Sequence, residues 1–157
     1  MVADDFNEDG NLDIVMKGND FGTEVGNGRY DALNGIVMLG DGTGHFTPQS
    51  ILQSGLFIPG NGKALIKCKG INNNYLLVAS QNKGPLRVVS SKGGQKIISI
   101  LPNDKTCIYT FKNGNQRREE FYTGHSFLSQ SAPFILLGKN VSRVEIMNGK
   151  EETRIIY

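Results

Sequence analysis

Apolar residues along this chain fall in short runs broken by Gly, Asn or Asp, the pattern of strands joined by tight turns rather than of helices. Residues 13–16, 35–39 and 45–47 read as three such strands. The second and third are joined by Gly40-Asp41-Gly42-Thr43-Gly44, whose Asp-Gly step suits a hairpin turn. The pattern recurs over residues 64–68, 75–79 and 85–89, with Asn72-Asn73-Asn74 and Asn82-Lys83-Gly84 as turns. A third stretch predicts strands over 96–101, 107–111, 117–122, 134–137 and 143–147, with Asn113-Gly114 and Asn148-Gly149 as two-residue hairpin signals. Helical periodicity is not evident anywhere, so the expected class is all-β.

Composition agrees with that reading. Twenty glycines among 157 residues suit turns, because each Gly inside a helix costs about 1 kcal/mol relative to Ala. A chain of this length buries one core or two small ones. No apolar run approaches the ~20 residues of a spanning helix. The net charge of +2 conceals an asymmetry: residues 1–54 hold nine acids against two bases, and the remainder six against fifteen. Those later Lys and Arg residues are scattered singly along predicted strands, as on a solvated sheet face, so nucleic acid is not an expected partner. Cys68 and Cys107 form no CxxC and lie near no His at ligand spacing; two free thiols are expected, with a disulfide the alternative.

The acidic excess concentrates in Asp5-Phe6-Asn7-Glu8-Asp9-Gly10-Asn11-Leu12-Asp13. Oxygen-bearing side chains occupy the first, third, fifth and ninth positions, and Gly10 stands sixth, where the chain must turn sharply. Ca²⁺ takes about six to eight hard oxygens, and alternate residues of a tight loop can turn Asp5, Asn7 and Asp9 inward together. The peptide carbonyl of Asn11 and the carboxylate of Asp13 complete the expected set, while Asp4 and Glu8 are expected to face solvent or a neighbouring turn. Met16 at the twelfth position excludes an EF-hand, which needs a bidentate Glu there. The competing reading is an Asx-rich turn with surface carboxylates; so many acids within ten residues would repel one another without a cation. The ion's expected role is structural, since no nucleophile, base and oxyanion donors cluster around it. Extracellular calcium modules bind at about 10⁻⁴ to 10⁻³ M, which implies a secreted, cell-surface or periplasmic protein.

The acidic loop, the strand after it and then Ile36-Val37-Met38-Leu39-Gly40-Asp41-Gly42-Thr43-Gly44-His45-Phe46 resemble the FG-GAP/VCBS repeat of calcium-binding β-propellers, including integrin α-chain blades. The segment from Arg117-Arg118-Glu119-Glu120-Phe121-Tyr122 through Ser131, with Val144-Glu145-Ile146 and Asn148-Gly149-Lys150, resembles the ASPIC/UnbV domain, which follows such repeats at the C-terminus. Leu137-Gly138-Lys139 and Ile146-Met147 stand where that family has Gly-Leu-Gly and Trp-Pro. The resemblance implies a repeat blade over residues 1–50, a degenerate terminal blade over 51–94 and an ASPIC/UnbV-like β-domain over 95–157. Propellers need about four to eight blades, so the chain reads as the C-terminal blades of a larger propeller whose N-terminal part, with any export signal, is missing. The implied function is non-catalytic binding or adhesion toward a protein or glycan.

Within the long segment 18–34, Asp20, Glu24, Arg29, Tyr30 and Asp31 are candidate ligand contacts, with shielding of an edge the alternative. A polysaccharide hydrolase, or an accessory protein of glycan uptake, is the alternative function; a hydrolase would need carboxylates such as Glu24 and Asp31 about 5 to 9.5 Å apart. His45 and His125 are too far apart in sequence to suggest a pair, and the serines of 126–131 lack a nucleophile-elbow context.

Overall fold

The computed structural model describes residues 1–91, 95–122, 124, 129–150 and 152–156. Thr123 and residues 125–128, part of the ASPIC/UnbV-like segment and including His125 and Ser126, lie outside the described residues, as does position 94 at the second expected boundary. The molecule is all-β with antiparallel sheets, none of them closed.

The first sheet is a meander of β1 (Val2–Asp4), β2 (Asp13–Met16), β3 (Ile36–Gly40) and β4 (Phe46–Gln49), paired in that order. The turn between β3 and β4 forms as its sequence predicts: the Asp41 carboxylate accepts from Thr43 N at 2.8 Å, and Asp41 N donates to His45 O at 3.2 Å. One helical turn, α1 (Ile51–Ser54), follows. Its Ser50-x-x-Gln53 capping box explains why it forms despite its length: Gln53 N donates to Ser50 Oγ at 3.3 Å and Ser50 N to Gln53 Oε1 at 2.8 Å. A second meander joins β5 (Gly62–Lys69), β6 (Tyr75–Gln81) and β7 (Arg87–Ser90).

The remaining strands form two further sheets. One runs in the order β10 (Gln116–Glu120), β9 (Asp104–Phe111), β12 (Val141–Asn148), β13 (Thr153–Ile155); the other pairs β8 (Lys96–Ser99) with β11 (Phe134–Leu137). Asn113-Gly114 lies in the β9–β10 connection, which is three residues long, 112–114, rather than the two-residue turn expected: Phe111 N donates to Asn115 O at 2.9 Å, and Gly114 stands at φ +85°. The three-residue strands β1 and β13 and the turn α1 are absent from the pattern-based expectation, because segments that short carry no readable period.

Among the described residues, two apolar clusters form the interior. The first contains Val15, Leu65, Tyr75, Leu77 and Ala79 from the first two meanders and Leu56 and Ile58 from the segment between them, together with Ile97, Phe134 and Leu136. The second contains Cys107, Tyr109, Phe111, Val141, Val144 and Ile146, together with Ile135 and Leu137. Strand β11 is buried on both faces and feeds alternate residues into the two clusters. Cys68 and Cys107 are free thiols, and burial pushes the Cys107 thiol up to about 12.

Candidate metal centre

The acidic loop closes the β1–β2 hairpin. Asp4 and Asp13 sit opposite each other in register at its base, so residues 5–12 form the connection. Asp13 is wholly inaccessible, and its carboxylate is the hub of the turn: Oδ2 accepts from Phe6 N at 2.8 Å and Asn7 N at 3.3 Å, and Oδ1 from Gly40 N at 3.0 Å on β3. A carboxylate presents about four lone-pair sites, so these three bonds hold Asp13 in place without exhausting it. Asp5, also buried, accepts from Asp9 N at 3.1 Å and Gly10 N at 3.0 Å. Asp9 N also donates to Asn7 Oδ1 at 3.0 Å, which puts the Asp5 and Asn7 oxygens around one N–H. Asn7 Nδ2 donates to Asp9 Oδ2 at 2.9 Å, and Asn11 N to Asp9 Oδ1 at 2.7 Å. The turn needs left-handed backbone at Glu8, φ +63°, and at Gly10, φ +99°.

Elements distant in sequence hold the loop from outside. Phe6 packs edge-on against Tyr75 with centroids 5.7 Å apart, carrying the loop's aromatic side chain to the first core. Arg117 on β10 donates from Nη1 to Gly10 O at 2.7 Å and lies 3.7 Å from Asp5 Oδ2. Its guanidinium lies over the rings of Tyr109 and Phe111, at 4.6 and 5.6 Å. Gln95 Nε2 donates to Asp5 O at 3.1 Å, and Lys139 N to Glu8 Oε2 at 3.1 Å. Glu8 thus meets a neighbouring turn. Asp4 departs from the sequence expectation: rather than facing solvent it is buried, with Oδ2 at 2.9 Å from Lys67 Nζ. The expectation failed there because Asp4 is the last residue of a strand whose inward face packs on β5, and β1 is too short to read from the sequence.

Burial pushes the Asp5 carboxyl up to about 6, with Asp9 and Asp13 adding to the rise while Arg117 and the Gly10 N–H oppose it. Burial also raises Asp13, against the N–H groups of Gly40, Phe6 and Asn7. The loop therefore concentrates carboxylates whose ionisation is disfavoured unless positive charge arrives.

An oxygen-only set of Asp5, Asn7, Asp9 and Asp13 suits a hard cation in kind, and the Asp5 and Asn7 oxygens meet at the Asp9 N–H. Among the described residues no group of three or more His, Cys, Asp or Glu side chains converges at metal-ligand spacing; the Asp5, Asp9 and Asp13 oxygens instead face backbone N–H groups. Occupancy would thus require their free lone pairs to be re-aimed, chiefly at the exposed Asp9.

The other candidates sit in the 18–34 segment. Asp20 and Tyr30 form an isolated antiparallel bridge, with N–H···O bonds of 2.8 and 2.9 Å in the two directions. The Gly22 N–H, then Lys63 at 3.6 Å, lower the Asp20 carboxyl below its ordinary range. Arg29 lies over the Phe21 ring at 5.1 Å. Buried Asn19 fastens the base, donating to Asn34 Oδ1 at 2.7 Å and accepting from Leu33 N at 2.8 Å. Glu24 and Asp31 are both exposed. Arg117 and Lys67 were missed by sequence reasoning; strand alternation beside Asn113-Gly114 was the available signal for Arg117, since 117 and 119 are the inward positions of β10. Comparison with protein-family models, curated proteins and solved structures returned no match.

Proposed function

We propose that this chain is an exported, non-catalytic binding protein in which calcium, held by the β1–β2 loop, has a structural role. The observation that carries the reading is the loop itself: Asp5, Asn7, Asp9 and Asp13 lie on one turn, with Asp13 buried and Asp5 kept from easy ionisation by its surroundings. Asp5, Asn7, Asp9, Asp13 and the peptide carbonyl of Asn11 would hold the ion. Calcium supplies positive charge and a crosslink; the chain's own residues fix the turn, through Asp13 to β3 and through Arg117 to β10. The four-stranded β1–β4 meander has the strand count and order of a propeller blade, which supports FG-GAP/VCBS character for it, with β5–β7 as a reduced blade and an ASPIC/UnbV-like unit after it.

Thermal melts test the proposal. A ligand that binds only the folded state stabilises it by RT ln(1 + [L]/Kd), so calcium at ~10 mM against a Kd of ~10⁻⁴ M adds about 2.7 kcal/mol. The melting temperature should rise by several degrees with calcium and less with magnesium, and Asp9→Ala should abolish the rise while leaving the calcium-free melt nearly unchanged. A melt indifferent to calcium, or a calcium response surviving in Asp9→Ala, would refute the metal reading.

A further inference from the structure

A cleft of about 500 Å³ opens beside the acidic loop, between the β3–β4 turn and the β9–β10 hairpin. That volume is within the ~300–1,000 Å³ typical of small-ligand sites. Asn113, Asn115 and Gln116 line the hairpin wall, with Asn113 Oδ1 accepting from Asn115 N at 2.9 Å and Gln116 Nε2 donating to Thr110 Oγ1 at 3.3 Å, and Phe46 and Phe111 supply apolar surface. Phe46 is 40% exposed at the start of β4, an aromatic face the fold leaves in water. Across the cleft stand Asp9 and Asn11. The glycine turn keeps the cleft open: a Cβ on Gly42, at φ +79°, would meet Asn11 Oδ1 at 2.6 Å.

The chemistry of these walls selects a ligand class. Charged lining residues are two, and Arg117 is already committed to Gly10 O and Asp5. The described lining residues therefore offer no uncommitted cation for a phosphate, sulfate or uronate. Carboxamides present a donor and an acceptor side by side, the complement of adjacent hydroxyl groups. An aromatic ring takes the apolar C–H face of a sugar while amides take its hydroxyl edge, an aromatic-plus-polar division typical of ligand sites. The described lining residues include one carboxylate, Asp9, rather than the pair that glycoside hydrolysis uses, so the cleft is equipped to hold a sugar rather than to cleave it. We propose that this cleft binds a neutral hexose unit of a glycan, gripped by Asn113, Asn115 and Gln116 and stacked on Phe46. The proposal rests on the binding-protein reading above but not on calcium occupancy.

The test uses the full chain on an array of neutral and anionic oligosaccharides, followed by calorimetric titration of the strongest neutral binder. Neutral oligosaccharides should bind. The double variant Asn115→Ala/Gln116→Ala should lose at least tenfold in affinity at an unchanged melting temperature, both residues being exposed. Phe46→Ala should weaken binding similarly and Phe46→Tyr should retain it. No neutral binder on the array, affinity indifferent to these substitutions, or a preference for anionic glycans or for neutral peptides at the same residues would overturn the proposal. The calcium-dependent melt read on the same samples registers failure of the metal reading separately from failure of the cleft.

Discussion

At the scale of single residues, the loop is decided by where its carboxylates sit. Asp13 does backbone work, bonding three N–H groups from a fully buried position, whereas Asp9 is exposed. Asp5 stands between them and gives the loop a pH signature. Its folded value is raised to about 6 from an ordinary 3.8, so between those values the folded chain holds a proton that the unfolded chain has released. Stability contributed by Asp5 in calcium-free buffer is thus present at pH 4 and lost as pH rises through 6, an effect of about 3 kcal/mol at most. Asp13, raised in the same direction, adds to it. Asp20 and Asp41 are lowered, by N–H donation from Gly22 and Thr43 first, and run the opposite way. The difference between wild type and Asp5→Asn isolates the residue. With chelator present, the wild-type advantage should shrink from pH 4 to pH 6.5 in denaturant melts; an advantage that grows with pH would contradict the assignment.

At the scale of elements, β10 reaches into a hairpin more than a hundred residues earlier in the chain. Arg117 stacks on Tyr109 and Phe111, donates to Gly10 O, and is the chief influence lowering the Asp5 carboxyl. Arg117→Met keeps an apolar stem over the rings but removes the charge and the donor. Loss of a charged hydrogen bond at this part-buried carbonyl costs about 1.5–3 kcal/mol, and Asp5 should titrate still higher in carboxyl-resolved NMR. An unchanged Asp5 titration in a folded variant would show that the two groups are uncoupled. This contact also marks the limit of what the sequence discloses. The turns are legible, because Gly42 and Gly114, at φ +79° and +85°, hold backbone angles that few other residues adopt. The loop's oxygen spacing is legible for the same local reason. Which cation lies beside Asp5, and that Asp4 meets Lys67, depend on pairings between strands far apart in sequence, and no local pattern encodes them.

At the scale of the whole molecule, strand β11 joins what the chain's composition would separate. Its four residues form an unbroken apolar run, and such runs, unlike alternating ones, belong to strands covered on both sides. Phe134 and Leu136 enter the cluster shared with the two meanders, while Ile135 and Leu137 enter the cluster under β9 and β12. Neither cluster can lose this strand without losing part of its packing, so the two should melt together. Calorimetry of the intact chain should show one transition. Leu136→Ala and Leu137→Ala remove the same side chain from opposite faces, each at a cost of about 2–5 kcal/mol. Both should move that single transition downward, and calcium should move it upward in either variant, since the loop contacts Tyr75 through Phe6 on one side and Phe111 through Gly10 on the other. Two resolved transitions, each sensitive to only one of the substitutions, would mean that the clusters unfold independently and that β11 divides the molecule instead of binding it together.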